Sequence, residues 1–234
     1  MNVLAITCHP DDMEIHCAGT LLRCKKRGDN VTVCHVANGN MGHVVIPPEE
    51  LGPIRIAEAK KAGDLAGWKT VTCNVGDLKV RSEDKQQIDS LVKIIREAKP
   101  DFIITHAPDD YMADHVEVSK LVFNASFSAS VPHYEPQLGE ACPVTPVFYL
   151  DNADYVNCEP YYFVDITDEI DTKLEMLACH ESQLVWLRDH DGVDVLETTK
   201  TFSAMRGTQC GVKYAEGFRR LFGSLRGTTK HLLP

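Results

Sequence analysis

Residues 5–20 read AITCHPDDMEIHCAGT, and this stretch decides the fold because it joins a buried strand to a helix through a polar turn. The apolar run NVLAIT at 2–7 predicts a first strand. Apolar residues recur at helical spacing between Asp12 and Lys26 and predict a first helix. In open α/β sheets ligands bind at the carboxyl ends of the strands, so His9, Asp11 and Asp12 predict a ligand site at this edge.

The same alternation continues outward along the chain. The segments VTVCHVANG, TVTCNVGD and DFIITHAP predict three more strands, each followed by a helical pattern, and beyond residue 132 come PVFYLDNA, YYFVDIT and a long helix, DEIDTKLEMLACHESQLVWLR. This pattern predicts an α/β, Rossmann-like three-layer fold with a mostly parallel sheet. We expect a single domain over residues 1–234, with 1–131 as the Rossmann-like core and 132–234 completing it.

Composition limits the function classes. The 234 residues are 44% hydrophobic and carry a formal net charge of -10, which argues against a protein that binds nucleic acid through phosphate contacts. The chain shows neither a basic leader with an apolar core nor an apolar run of membrane-spanning length. Nine scattered cysteines form no CxxC pair. A cytoplasmic protein without a membrane span is the expectation.

A second polar cluster, HAPDDYMADH at 106–115, follows the fourth strand at the same sheet edge. His9, Asp12 and His115 can converge there as three ligands of a divalent metal, leaving a position open for water as in catalytic zinc sites. Asp11 is then a candidate general base. A purely structural reading stays open, in which Asp12 only caps the helix and the histidines are hydrogen-bonded core residues. That structural role is the expectation for the histidines without comparable convergence: His16, His35, His43, His106 and His133.

The motif His9-Pro10-Asp11-Asp12-Met13-Glu14 resembles the His-Pro-Asp-Asp-x-Glu signature of the PIG-L/LmbE-like de-N-acetylases. These enzymes are zinc hydrolases that remove acetyl groups from N-acetylglucosamine-type substrates. The resemblance spans almost the whole chain. It includes Gly19-Thr20, Arg55, Glu58, Asp77, Asp114-His115, HESQ at 180–183 and GVKYAEGFR at 211–219.

The resemblance implies a role for each matching residue. His9, Asp12 and His115 would bind Zn²⁺, with Fe²⁺ as the alternative, and Asp11 would be the base that activates water. Asp114 would support the ligands or relay protons, and Arg55 and Asp77 would line the substrate pocket. For Arg55 a surface pairing with Glu58 stays open. The family also implies a homo-oligomer, a trimer or hexamer, acting on a small amino-sugar conjugate.

One departure from the family pattern affects the chemistry. The second motif usually runs His-x-Asp-His, but here Met112 stands at the first position, and methionine cannot donate a hydrogen bond. We hypothesise that His180 replaces it at the substrate; packing of His180 against the sheet is the alternative.

Three other function classes are alternatives to a deacetylase. A hydratase or lyase acting on a small unsaturated acid would use the same scaffold, and release of acetate separates it from a deacetylase. A non-catalytic sugar-binding module would have no need of Asp11. A nucleotide-binding Rossmann protein is set aside because CHPDD replaces the glycine-rich turn that lets a pyrophosphate approach.

Overall fold

A seven-stranded sheet forms the centre of the computed structural model, which describes residues 1–156 and 158–234. The strands are β1 Asn2–Thr7, β2 Asn30–Ala37, β3 Lys69–Val75, β4 Phe102–Thr105, β5 Val147–Tyr149, β6 Tyr162–Asp165 and β7 Ala215–Arg220. Their order is β3-β2-β1-β4-β5-β7-β6. The first five strands run parallel, and β7 pairs antiparallel with both β5 and β6. The predicted α/β fold with a mostly parallel sheet is therefore confirmed.

Helices cover both faces of the sheet. They are α1 Asp12–His16, α2 Ala18–Lys26, α3 Pro48–Ala66, α4 Lys85–Ala98, α5 Ala113–Ser128, α6 Ile170–Leu177, α7 Glu181–Trp186 and α8 Val195–Cys210. Side chains of β1 alternate between two cores: Val3 and Ala5 join the cluster under α1, α2 and α6, whereas Leu4 and Ile6 join the one under α4 and α5. The sheet is thus the middle of three layers, and β1 is buried on both faces.

The first predicted helix is divided in two. It breaks at Cys17, whose φ of -146° is not helical. The Glu216 carboxylate accepts hydrogen bonds from the N–H groups of Gly19 (2.9 Å) and Thr20 (2.7 Å) at the start of α2. A carboxylate from another strand therefore caps a new helix here. The break cannot be seen locally because its cause lies near the other end of the chain.

The long predicted helix beyond residue 168 is also broken, at residues 178–180, into α6 and α7. Glu58 of α3 accepts hydrogen bonds from the N–H (2.9 Å) and hydroxyl (2.6 Å) of Ser182 and so caps the start of α7. A π-helical turn at Leu187–Asp191 follows α7. Helix α8 and strand β7 are additional to the elements that the sequence pattern predicts.

The strands of residues 132–234 extend the sheet formed by residues 1–131. The single domain over residues 1–234 stays a prediction. Within the described residues, none of the helices combines the length and apolar character that crossing a bilayer requires.

Candidate metal centre and active site

A cavity of about 730 Å³ opens where the loops after β1 and β4 meet at the carboxyl edge of the sheet. Both predicted clusters contribute to its wall, and the loop after β2 and helix α7 close it from the other sides. The residues that line the cavity include His9, Asp11, Asp12, His16, Arg55, Asp77, Met112, Asp114, His115, Gln183, Trp186 and Asp191.

Three donor atoms face one another inside this cavity, and we call His9, Asp12 and His115 the donor triad. Asp12 Oδ2 lies 3.5 Å from His9 Nδ1 and 3.3 Å from His115 Nε2. The two histidine nitrogens lie 3.3 Å apart. In a tetrahedral zinc site with ligand distances of 2.0–2.1 Å, neighbouring donors are roughly 3.3–3.4 Å apart. The spacing of the donor triad therefore fits a small divalent cation.

Each histidine of the donor triad presents its second ring nitrogen to a carboxylate. His9 Nε2 lies 3.5 Å from Asp114 Oδ2, and His115 Nδ1 lies 3.2 Å from Asp110 Oδ1. Such outer carboxylates fix the orientation of metal-ligating imidazoles. Burial alone would lower the pKa of His115, but Asp12 and Asp110 outweigh it and raise this pKa to about 9. The centre thus stabilises positive charge between the donors.

Two further residues adjoin the donor triad. The Cys8 Sγ lies within 4.8 Å of a potential ligand atom of each residue of the donor triad. Burial raises the pKa of the Cys8 thiol to about 12. His106 stacks on His115 at 3.8 Å, and its Nε2 accepts a hydrogen bond from the Cys8 N–H (2.9 Å). Burial lowers the pKa of His106 to about 4, so its ring is neutral. His106 was expected to be a structural histidine that does not converge with the other site residues. Its ring packs directly against His115 of the donor triad.

Asp11 occupies a strained turn beside the donor triad. Its φ of 113° is unusual for a residue with a side chain, and the residue is 4% exposed. Arg55 Nη2 donates to Asp11 Oδ1 (3.0 Å) and to the Pro10 carbonyl (2.5 Å). Burial raises the pKa of Asp11 to about 6, although Arg55 opposes this. A carboxyl group poised near neutral pH suits general base chemistry.

The two remaining predicted pocket residues are Arg55, on α3, and Asp77, in the loop after β3. Arg55 is 2% exposed and contacts Asp11, while Glu58 bonds Ser182, so the alternative surface pairing of Arg55 with Glu58 is wrong. Asp77 accepts hydrogen bonds from the N–H groups of Gly39 (2.8 Å) and Met41 (3.0 Å), so both of its carboxylate oxygens hold the loop that follows β2. Substrate binding by Arg55 and Asp77 stays a prediction.

His180 lies apart from the cavity. It is fully buried, and its Nε2 lies 3.3 Å from Oε2 of the equally buried Glu14. Burial lowers the pKa of His180, but the Glu14 carboxylate more than offsets this and raises it. Among the described residues that line the cavity His180 does not appear, so its proposed contact with substrate stays a prediction and the geometry favours an ion pair that holds α7 against α1.

Several cavity residues were missed by reading the sequence. His16, expected to be structural, is 4% exposed and lines the cavity, as do Gln183 and Trp186 of α7. Burial lowers the pKa of His16 to about 3, so its imidazole is neutral. Trp186 stacks on His190 with ring centroids 4.1 Å apart. The signal for His16 was its spacing of four residues from Asp12, which places both on one face of α1.

With this geometry established, comparison with known proteins shows the family. Residues 4–126, more than half of the chain, match the family model described as PIG-L: GlcNAc-PI de-N-acetylase. The chain belongs to the PIG-L family. Membership confirms the resemblance inferred from the HPDD motif and makes the chain, at the family level, a hydrolytic N-deacetylase that acts on an amide C–N bond.

Two curated relatives align with different shares of this PIG-L family member. The diacetylchitobiose deacetylase of Thermococcus kodakarensis is 27% identical over 93% of this chain and 82% of its own length. A 1D-myo-inositol 2-acetamido-2-deoxy-alpha-D-glucopyranoside deacetylase of Streptomyces scabiei is 23% identical over 63% of this chain. This chain spans only 55% of the length of that relative.

Solved structures show the same fold. The N,N'-diacetylchitobiose deacetylase from Pyrococcus horikoshii is 25% identical with a TM-score of 0.81, and the match covers 94% of this chain and 83% of that one. GalB, the 4-carboxy-2-hydroxymuconate hydratase from Pseudomonas putida, has a TM-score of 0.83 at 22% identity, covering 99% of this chain and 100% of that one. At this identity the second likeness shows the fold alone.

Proposed function

We propose that this PIG-L family member removes the N-acetyl group of a neutral amino sugar of the N-acetylglucosamine type, using a zinc ion held by His9, Asp12 and His115. The observation that carries the proposal is the donor triad with Asp11 beside it in one cavity. When bound, the ion supplies Lewis acidity toward the amide carbonyl and toward water. Zn²⁺ and Fe²⁺ both suit two imidazoles and a carboxylate.

The proton transfers fall to Asp11. Its carboxylate accepts a proton from the water whose oxygen attacks the acetyl carbon, while Arg55 holds Asp11 in place. Asp11 then returns the proton to the sugar nitrogen as the C–N bond breaks, giving a free amine and acetate. Asp114 and Asp110 keep the two imidazoles oriented.

The charge of the cavity supports a neutral sugar. Five carboxylates line the described part of its wall, those of Asp11, Asp12, Asp77, Asp114 and Asp191, against one guanidinium, that of Arg55. Because Arg55 is already bonded to Asp11 and no other Lys or Arg lines the described wall, a phosphate or carboxylate on the part of the substrate away from the donor triad would find no cationic side chain to bind. Trp186 offers an aromatic face on which the apolar side of a pyranose ring can pack.

The lack of a second Lys or Arg in the described wall weighs against the hydratase alternative, whose substrate would itself carry a carboxylate. That alternative rests on Met112, which lines the cavity where the family usually has a hydrogen-bond donor. Release of acetate from an N-acetylated sugar distinguishes the two reactions.

The test combines metal analysis with an acetate-release assay on N-acetylglucosamine and short N-acetylated oligosaccharides. We expect about one metal per chain in the wild type and in Asp11→Asn, with activity lost only in the variant. Asp64→Asn, the same change on an exposed carboxylate of α3, is the control that should keep full activity. A metal-loaded wild type that releases no acetate from any of these substrates would refute the proposal.

The cytoplasmic location and the trimer or hexamer also stay predictions. Light scattering checks the second: the oligomer should have three or six times the 26.0 kDa mass of one chain. A monomer at micromolar concentration would contradict it.

A further inference from the structure

Met112 leaves the cavity without the hydrogen-bond donor that the family motif usually supplies. Its side chain is 38% exposed, lines the cavity and lies three residues before His115. When water attacks an acetamide, the carbonyl oxygen becomes anionic, and a donor aimed at that oxygen lowers the barrier. A bound metal would supply one partner for this oxygen, so the second partner, a hydrogen-bond donor, has to come from another group in the wall.

His16 is the candidate for such a donor. It lines the same cavity and lies four residues after Asp12 on α1, so the two side chains share one helix face. The residue is 4% exposed, and its Nδ1 is buried without a hydrogen-bond partner among the described residues. A fully buried nitrogen cannot contact a ligand, so Nε2 is the ring nitrogen that can bond one in the cavity, and the neutral ring donates from Nε2 when that nitrogen carries the proton.

The ring of His16 packs beside a pair of aromatic rings and is tilted by 31° from the nearer one. The His16 ring lies 5.4 Å from that of Tyr155, which is itself stacked on Phe202 at 4.0 Å with nearly parallel planes. A donor packed in this way loses little freedom when the transition state forms. Tyr111 also lines the cavity, but it is 79% exposed, so water competes for its hydroxyl group.

We propose that His16 donates a hydrogen bond to the carbonyl oxygen that becomes anionic during attack, in the position that Met112 cannot serve. This inference rests on the proposed deacetylation. His16 keeps its proton throughout: the water proton passes to Asp11 and then to the leaving nitrogen, and the C–N bond is the one that breaks. His16 is therefore a catalytic residue by contact with the reacting oxygen, without acting as an acid or base.

The experiment compares His16→Phe, which keeps a ring but has no donor, with His16→Gln, which retains an N–H donor. For N-acetylglucosamine we expect His16→Phe to lower kcat about 10²- to 10³-fold, with KM changed less than about threefold and the metal content unchanged. His16→Gln should recover at least about tenfold of the loss, since one good donor accounts for most of the effect. His133→Phe, on an exposed histidine, is the matched control.

A double variant tests the link to Met112. In the His16→Phe background, Met112→His should restore at least about tenfold in kcat because it returns a donor to the cavity wall, which a purely structural role of His16 would not allow. A kcat for His16→Phe within about threefold of wild type, or loss of metal from both His16 variants, would overturn the inference.

Binding separates this inference from the proposed function. Calorimetry with glucosamine carrying a tetrahedral N-methylphosphonyl group should show about 10²-fold weaker binding to His16→Phe, while N-acetylglucosamine binds about equally to both proteins. If the wild type releases no acetate, the proposed function fails, and the binding comparison still decides whether His16 contacts the tetrahedral oxygen. Equal binding of the tetrahedral probe to both proteins would overturn it.

Discussion

At the scale of single residues, the sequence predicts those site residues whose position follows from the order of strands and helices along the chain. His9 and Asp12 come directly after a buried strand, and His115 begins the helix after another strand of the same sheet, so their convergence follows from parallel topology. Asp110 could not be assigned in this way, because its carboxylate reaches His115 only through the conformation of the loop.

The sequence also does not predict which of the buried histidines faces the cavity. His16 and His180 are both buried histidines, yet His16 lines the cavity whereas His180 pairs with Glu14 behind it. Family resemblance favoured His180, and only the packing of α1 against α7 distinguishes the two.

Gly39 permits the contact between Arg55 and Asp11. Its φ is +73°, and a Cβ added there would lie 2.6 Å from three atoms of the Arg55 side chain. We expect Gly39→Ala to lose roughly 1–2 kcal/mol of stability from backbone strain and also to displace Arg55, lowering kcat at least about tenfold. Denaturant unfolding and acetate release measure the two effects.

Gly67→Ala is the control for this substitution. Its φ is +66°, but no atom of the described residues lies within 4 Å of the added Cβ. It should show a similar loss of stability with unchanged kcat. Equal activities of the two variants would mean that Arg55 does not need the space at Gly39.

At the scale of secondary-structure elements, strands and helices with a strong pattern were predicted and helix breaks were not. Strand β1 was assigned with its observed bounds because its apolar run is continuous. The division into α1 and α2 depends on Glu216, and the division into α6 and α7 depends on Glu58, each of which caps a helix distant in sequence. Capping by remote carboxylates leaves no local pattern to read.

Removing the Glu216 carboxylate should therefore be severe. It is buried, caps α2 and accepts a hydrogen bond from the equally buried Lys173 ammonium (2.7 Å). Glu216→Ala leaves that charge uncompensated, and we expect about 3–5 kcal/mol of destabilisation by urea unfolding. Asp64→Ala, which breaks only an exposed pair with Lys60, should cost about 0.5 kcal/mol or less. Similar losses in both variants would contradict this account.

Glu117 of α5 should make stability depend on acid pH. Hydrogen bonds from Lys120 and from the Ser82 N–H lower the pKa of Glu117 to about 2. Since this pKa lies below the unfolded value of about 4.3, the stabilisation is present above pH ~4.3 and is lost as the pH falls toward 2. Glu117→Gln should thus be less stable than wild type at pH 7, by about 1 kcal/mol, with a difference that shrinks below pH 4.

Thermal unfolding of Glu117→Gln and wild type, measured between pH 7 and pH 2.5, gives this difference in stability at each pH. Glu83→Gln, on an exposed carboxylate in the adjoining loop, should unfold like wild type across the range. A difference for Glu117→Gln that stays constant with pH would exclude the ionised carboxylate as its cause.

At the scale of the whole molecule, the alternation of strands and helices predicted the parallel part of the sheet, and the antiparallel edge remained unassigned. Strand β7 inserts between β5 and β6, so the last strand in sequence is not at the edge of the sheet. Nothing in a local pattern specifies that order, because it depends on which strand edges are left free by the rest of the fold.

The donor triad lies at the end of a sheet that two buried apolar clusters already stabilise. We therefore expect the chelated protein to remain folded, with unchanged far-UV circular dichroism, while acetate release is lost. Restoring zinc to a free concentration 100 times its Kd should add about 2.7 kcal/mol of stability, or roughly 5–10 °C in Tm for a chain of this size. Activity should return with the same dependence on zinc.

His115→Ala is the matched variant for this measurement because it removes one donor and leaves both clusters intact. Its Tm should not respond to zinc in that concentration range, since a site with two remaining ligands binds the ion far more weakly. Unfolding of the wild type on chelation would instead make the metal part of the folding free energy, as in structural zinc sites. An equal rise in Tm for both proteins would place the zinc somewhere other than the donor triad.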